Sequence, residues 1–274
     1  MTKPTLIFVP GAWHTAEVFN TVIAKLSSHG YKCIKVTSLA AGHEPAVTDL
    51  QPDTENLHRI VLDEVDQGHD VVVVAHSWGG LLAGGSVDGL SKTEREKDGK
   101  KGGVVKLAYM CAFVPPEGVS LSMALGGRDP NWVVNVSVSH LSSTHLQSFF
   151  TRSSILTARS QQEPWMTWKD PIAGFYHDLP PAEGEYWKSK LLRHSFATVN
   201  VAAASAAWKT IPSSYLICED DRAIPPEIQG LMVKTCQDLG AKMETERIFC
   251  SHSPFLAKPD ETVGFLRRAA GEEV

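Results

Sequence analysis

A mostly parallel α/β sheet, doubly wound and interrupted by an inserted, mainly helical cap, is the fold that this sequence predicts. Three observations carry that expectation. Short apolar runs alternate with helix-spaced segments at both ends of the chain, the pattern of strands covered on both faces. The rhythm disappears between residues 116 and 210, which become rich in Trp, His, Ser and Pro, and a stretch this long reads as an insertion rather than a loop. Between an apolar run and a helix former lies Ala75-His76-Ser77-Trp78-Gly79, whose small flanking residues suit a sharp strand-to-helix turn.

Thr5 to Val9 reads as the first strand, ended by Pro10-Gly11. Thr15 is the expected cap of a helix running to about His29, with Val18, Val22, Ile23 and Leu26 at helical spacing and Gly30 past its end. Tyr31 to Thr37 forms the second strand. Asp53 is expected to cap the next helix, which carries Leu57, Ile60, Val61 and Val65 on one face and closes near Gly68. Val71 to Val74 is a buried strand, and the helix after the Ser77 turn extends to about Leu90. Ser91 to Gly103, dominated by Lys, Glu, Arg, Asp and Gly, reads as a solvated surface excursion. Val104 to Phe113 is the next strand, stopped at Pro115. Helical patches are expected in the insertion at Ser139 to Thr151 and Pro181 to Ser195. Alternation then resumes with a strand at Ser214 to Cys218, a helix at Pro226 to Leu239, a strand at Lys242 to Phe249 and a closing helix at Pro259 to Ala270. The core is thus expected over 1–115 and 211–274, with the cap over 116–210.

Bulk properties narrow the class of partner. The 274 residues carry a formal charge of -5, so there is no basic footprint for nucleic acid or an anionic membrane surface. No apolar run approaches the roughly 18 residues of a membrane span. Met1-Thr2-Lys3-Pro4 leads straight into a strand without a signal-peptide pattern, which makes the cytoplasm the expected compartment. Cys33, Cys111, Cys218, Cys236 and Cys250 are scattered and form no CxxC pair, against both a disulfide framework and a structural zinc site. A small-molecule substrate is the expected partner, and a homodimer stays open.

In a parallel sheet, ligands bind at the carboxyl ends of the strands. Ser77 follows one predicted strand, Glu219-Asp220-Asp221 another, and His252 the last. A serine, a carboxylate and a histidine in that order are the set required for nucleophilic acyl chemistry. His252 would take the proton of Ser77 during attack and return it to the leaving group, while the carboxylate fixes the imidazole tautomer. Successive side chains leaving a strand point in different directions, so one of Glu219, Asp220 and Asp221 reaches His252. The Pro10-Gly11-Ala12-Trp13-His14 turn brings a second part of the site: the Ala12 and Trp78 amides are candidate donors to an oxyanion. This set needs no cofactor and no metal. His76 is expected to pack behind the nucleophile, and His14 to brace the oxyanion turn. His140, His145, His177 and His194 lack metal-ligand spacing and read as structural or solvated. Trp132, Trp165, Trp168, Phe175, Tyr176 and Trp187 supply an aromatic cap interior.

The chain resembles the α/β-hydrolase superfamily, and more narrowly the cap-bearing branch of methylesterases and hydroxynitrile lyases. The resemblance rests on Val9-Pro10-Gly11-Ala12-Trp13-His14, Ala75-His76-Ser77-Trp78-Gly79-Gly80, Cys218 to Pro225 and Ser251-His252-Ser253-Pro254-Phe255. It implies an α/β-hydrolase fold, assigns the acid to Asp221 rather than Asp220, and makes Ala12 and Trp78 the oxyanion donors. Pro10 stands where many members have His, and Ala75 where many have Gly. Ser253 occupies the place where relatives that cleave cyanohydrins resemble one another in having lysine. The expected function is therefore a serine hydrolase acting on an ester or lactone of a small, fairly apolar molecule. The same residues also suit a lyase, a C–C bond hydrolase or a cyclase of a polyketide-like metabolite, and a small-molecule receptor on this scaffold is the reading from another class.

Overall fold

The computed structural model describes residues 2–124 and 164–274. Trp132, His140, His145 and the expected helical patch at Ser139 to Thr151 lie outside the described residues.

Six parallel strands form one sheet: β1 (Thr5–Val9), β2 (Cys33–Lys35), β3 (Val71–His76), β4 (Val104–Met110), β7 (Ser213–Cys218) and β8 (Met243–Ile248), in the order β2-β1-β3-β4-β7-β8. Alternation along the central strands sorts their side chains to two faces. Ile7, Val9, Val71, Val73 and Ala75 pack with Leu57, Val61 and Val65 of α2 (Gln51–Asp66) and Leu81 and Leu82 of α3 (Gly79–Gly85). Leu6, Phe8, Val72 and Val74 face the other way, onto Val22 and Leu26 of α1 (Asn20–Ser28) and Val263, Phe265 and Leu266 near the C-terminus. Both faces being covered, the central strand β3 is apolar from Val71 to Ala75, which is why Val71 to Val74 is so plain a signal.

Several boundaries differ from expectation for local reasons. Thr15 makes no side-chain cap; a 3-10 turn at Ala16–Phe19 comes first, and α1 starts at Asn20. Asp53 does not cap α2 but sits inside its first turn, fully buried, where its carboxylate accepts from the amides of Leu39 at 2.6 Å and Ala40 at 2.8 Å. It pins the loop after β2 rather than starting a helix. The helix after the Ser77 turn ends at Gly85, not near Leu90. The expected surface excursion contains a helix of its own, α4 (Lys92–Lys97), capped by Ser91 through the Glu94 amide. Its Arg95 is buried and donates to the carbonyls of Gly102 and Val65.

Between β4 and β7, the described residues include α5 (Leu121–Ala124), β5 (Trp165–Met166), a π-type turn at Ile172–Tyr176, α6 (Pro181–Ser189) and β6 (His194–Ser195). β5 and β6 pair antiparallel within the segment where the alternating rhythm is lost; two residues each are too few to leave a periodic signal. The remaining helices are α7 (Pro226–Asp238), α8 (Pro254–Ala257) and α9 (Pro259–Ala269). No helix among the described residues is long and apolar enough to cross a membrane.

Two glycines in helices make opposite demands. A Cβ on Gly80 would lie 2.0 Å from the Phe113 carbonyl oxygen, whereas one on Gly230 in α7 meets nothing within 4 Å. Gly80→Ala is therefore expected to destabilise by about 3 kcal/mol or more through overpacking. Gly230→Ala should stabilise by about 0.5–1 kcal/mol through helix propensity. Chemical denaturation of the two variants checks both signs.

Candidate active site

The site is built at the carboxyl ends of β1, β3, β4, β7 and β8. β3 ends at His76, and Ser77 turns the chain with φ 52° before α3 begins at Gly79. The turn is closed from three sides. The Ser77 amide donates to Met110 at 3.3 Å, and its carbonyl accepts from Phe113 at 3.0 Å. A Cβ on Gly79 would lie 2.7 Å from the Pro10 carbonyl oxygen, and one on Gly11 2.9 Å from Ser77 Cβ. The small residues around the serine are thus demanded by backbone approach.

His252 lies on the loop between β8 and α8. Its Nε2 is 2.9 Å from Ser77 Oγ and its Nδ1 2.7 Å from Asp221 Oδ2. Asp221 is the acid that reaches it. Its Oδ1 accepts from the amides of Ala223 at 2.8 Å and Ile224 at 2.9 Å, and Gln229 Nε2 donates to Oδ2 at 3.0 Å. The neighbouring acids turn elsewhere: Asp220 pairs with His177 at 3.0 Å, and Glu219 with Arg247 at 2.8 Å. A carboxylate holds an imidazole through Nδ1–H while Nε2 faces a hydroxyl, so this chain can take a proton from Ser77 as the oxygen attacks an acyl carbon.

Ala12 and Trp78 flank the serine from two directions, the first on the turn after β1 and the second at the start of α3. Neither amide donates to a carbonyl or side chain among the described residues. Trp78 N–H also stands at the positive end of α3, where an anion is favoured.

His76 does pack behind the site. Its Nε2 donates to the His252 carbonyl at 2.8 Å, and the two rings are 4.7 Å apart. Burial holds His76 well below its ordinary pKa, so the ring is neutral. His76, Cys111 and His252 offer ligand atoms within 4.8 Å of one another. Both nitrogens of His252 are already engaged and burial pushes the Cys111 thiol up to about 12, so the trio is a hydrogen-bonded cluster rather than a ready metal centre.

The segment between β4 and β7 grips these loops. Ser251 donates its amide to Asp178 Oδ2 at 2.7 Å and its hydroxyl to the Phe175 carbonyl at 2.9 Å. Trp13 Nε1 donates to the Met166 carbonyl at 3.0 Å, and the Trp13 amide to His194 Nδ1 at 3.4 Å. Trp13, Trp168 and Phe175 form one ring cluster, with Phe175 5.7 Å from the His252 ring. His194, expected to be structural or solvated, is a buried structural support, and Gln229 is the support that the sequence analysis does not name. Gln229 had left a signal: it shares the buried stripe of α7 with Val233 and Cys236, a polar residue where an apolar one is expected.

The chain matches the model of the alpha/beta hydrolase family over residues 6–265, and it belongs to that family. It is 32% identical over 274 residues to the alpha/beta hydrolase nvfD of Aspergillus novofumigatus, spanning 100% of this chain and 99% of that protein. Among solved structures it is similar to polyneuridine aldehyde esterase, with a TM-score of 0.69 and 18% identity over 97% of this chain and 99% of that one. It is also similar to the methylesterase MES16 from Arabidopsis, with a TM-score of 0.66 and 17% identity over 97% and 98% of the two chains. At such identities the likeness is one of fold.

Acid sensitivity follows from the buried histidines. Burial lowers His14 from 6.5 to about 4 and His194 from 6.5 to about 3. The unfolded chain takes up these protons as pH falls through 6.5, while the folded chain does not until far lower, so stability declines from pH 6.5 toward 4. Denaturation at stepped pH should show that decline, and His194→Gln should make it shallower.

Proposed function

We propose that this member of the alpha/beta hydrolase family is a serine hydrolase that cleaves an ester or lactone of a small, fairly apolar molecule through an acyl-enzyme. The hydrogen-bonded line from Asp221 through His252 to Ser77 carries the reading. Ser77 Oγ attacks the acyl carbon as its proton passes to His252 Nε2. Charge develops on the carbonyl oxygen between the Ala12 and Trp78 amides. His252 returns the proton to the leaving alkoxide, which departs as the alcohol and leaves Ser77 acylated. Water then repeats the sequence, with His252 as base and the acid as product. Asp221 keeps the imidazole tautomer and stabilises the imidazolium.

Apolar substrates are supported by the Trp13, Trp168 and Phe175 ring cluster beside His252. Ser253, standing where cyanohydrin-cleaving relatives carry lysine, favours ester hydrolysis over that lyase reaction.

Purified protein should release acid from p-nitrophenyl acetate or butyrate, and Ser77→Ala should abolish turnover. Asp221→Asn is expected to lower kcat by about 10³–10⁴-fold, because it favours the wrong tautomer. Asp220→Asn should stay within about threefold of wild type, since its partner is His177. Undiminished turnover by Ser77→Ala would overturn the reading.

A further inference from the structure

One residue holds both peptide units that meet at Ala12. The His14 amide donates to the Gly11 carbonyl at 3.4 Å, and the His14 ring places Nδ1 2.7 Å from the Ala12 carbonyl. A carbonyl only accepts, so Nδ1 carries the proton. Burial keeps the ring neutral, holding its pKa down to about 4. Nε2 then offers a lone pair, and the Tyr176 hydroxyl donates into it at 2.6 Å. Tyr176 is itself buried and comes from the π-type turn between β5 and β6.

The geometry has a direct consequence for the amide of Ala12. In a trans peptide the C=O and N–H point to opposite sides. Holding the Gly11 carbonyl on one side therefore aims the Ala12 N–H to the other, and fixing the Ala12 carbonyl removes the remaining freedom at its Cα. Trp13, next in the chain, is forced to φ 65°, a conformation that a tryptophan does not take unaided.

We propose that His14 and Tyr176 are a positioning pair that aims the Ala12 amide at the developing oxyanion. The segment over the site then contributes to rate as well as to enclosure. The proposal rests on Ser77 as the nucleophile and goes beyond it, since neither His14 nor Tyr176 touches the reacting atoms. An interaction of this kind matters more in the transition state than in the ground state, so its loss lowers kcat while KM stays nearly constant.

The test measures kcat and KM for p-nitrophenyl butyrate, and the rate of covalent labelling by a fluorophosphonate, in wild type, Tyr176→Phe, His14→Leu and His14→Asn. Deleting an oxyanion donor costs about 10²–10³-fold, and misaiming one that is still present should cost less, about 10–100-fold in kcat and in labelling rate for His14→Leu. Tyr176→Phe should lose about 3–10-fold on the same scale. His14→Asn, whose side-chain amide can occupy the place of Nδ1 and donate to the Ala12 carbonyl, should recover part of the loss. KM should stay within about twofold throughout. Tyr176→Phe removes a single oxygen and keeps the test decisive if His14→Leu fails to fold. Wild-type kcat and labelling rates in the variants overturn the pair, as does a rise in KM at constant kcat. A wild-type protein that is not labelled at Ser77 overturns the nucleophile reading, and this proposal with it.

Discussion

Ser77 is held in left-handed backbone at φ 52°, a conformation that costs a residue with a side chain about 1–3 kcal/mol and persists only where its surroundings impose it. The surroundings here are the ends of three adjacent strands. β3 is hydrogen-bonded to β1 on one side and β4 on the other, in register as far as Ala75 and His76. Gly79 and Gly80 let the start of α3 approach the backbone of Pro10 and Phe113 more closely than any Cβ permits. The other two non-glycine residues with positive φ among the described ones are Trp13, after β1, and Cys111, directly after β4. Three neighbouring strands thus end in strained turns along one rim of the sheet. The rigidity of a fully buried β3 offsets that strain, and Ser77 sits where it is stored.

At the rim, burial keeps the histidines beside the site neutral, and the carboxylate that reaches His252 is held by hydrogen bonds. Asp221 reaches His252 with its remaining lone pairs occupied by two amides and Gln229, so the carboxylate is anchored without competing for another cation. His14, His76 and His194 are kept neutral by burial, which leaves each with one donor and one acceptor nitrogen. That asymmetry makes them useful as spacers. His76 supports the His252 carbonyl, His194 accepts from Trp13, and His14 bridges Tyr176 to the turn after β1.

Much of the sheet was legible because strands buried on both faces write themselves as apolar runs, and Val71 to Val74 needs no tertiary information to be read. Ser77 and His252 were legible for a related reason: residues at strand ends are few. The choice among Glu219, Asp220 and Asp221 was not available from the residues alone, because it depends on how the loop after β7 bends around Gln229. Asp53 was misread as a cap because an acid near a helix start ordinarily serves that end, whereas here it satisfies two amides from the preceding loop. The Ser91 to Gly103 stretch differs for a similar reason: a charged stretch implies solvent, yet the Arg95 guanidinium turns inward to satisfy the Val65 carbonyl at the end of α2 and the Gly102 carbonyl just before β4. The two-residue strands β5 and β6 are too short for any periodicity to show.

In the proposed reaction Ser77 Oγ, His252 Nε2 and the amides of Ala12 and Trp78 surround one acyl carbon. A crystal structure of the protein after reaction with a fluorophosphonate tests that arrangement most directly. Phosphorus should be bonded to Ser77 Oγ, with the phosphonyl oxygen within about 3.1 Å of both amide nitrogens. Phosphorus on another side chain, or a phosphonyl oxygen turned away from Ala12 and Trp78, would contradict it.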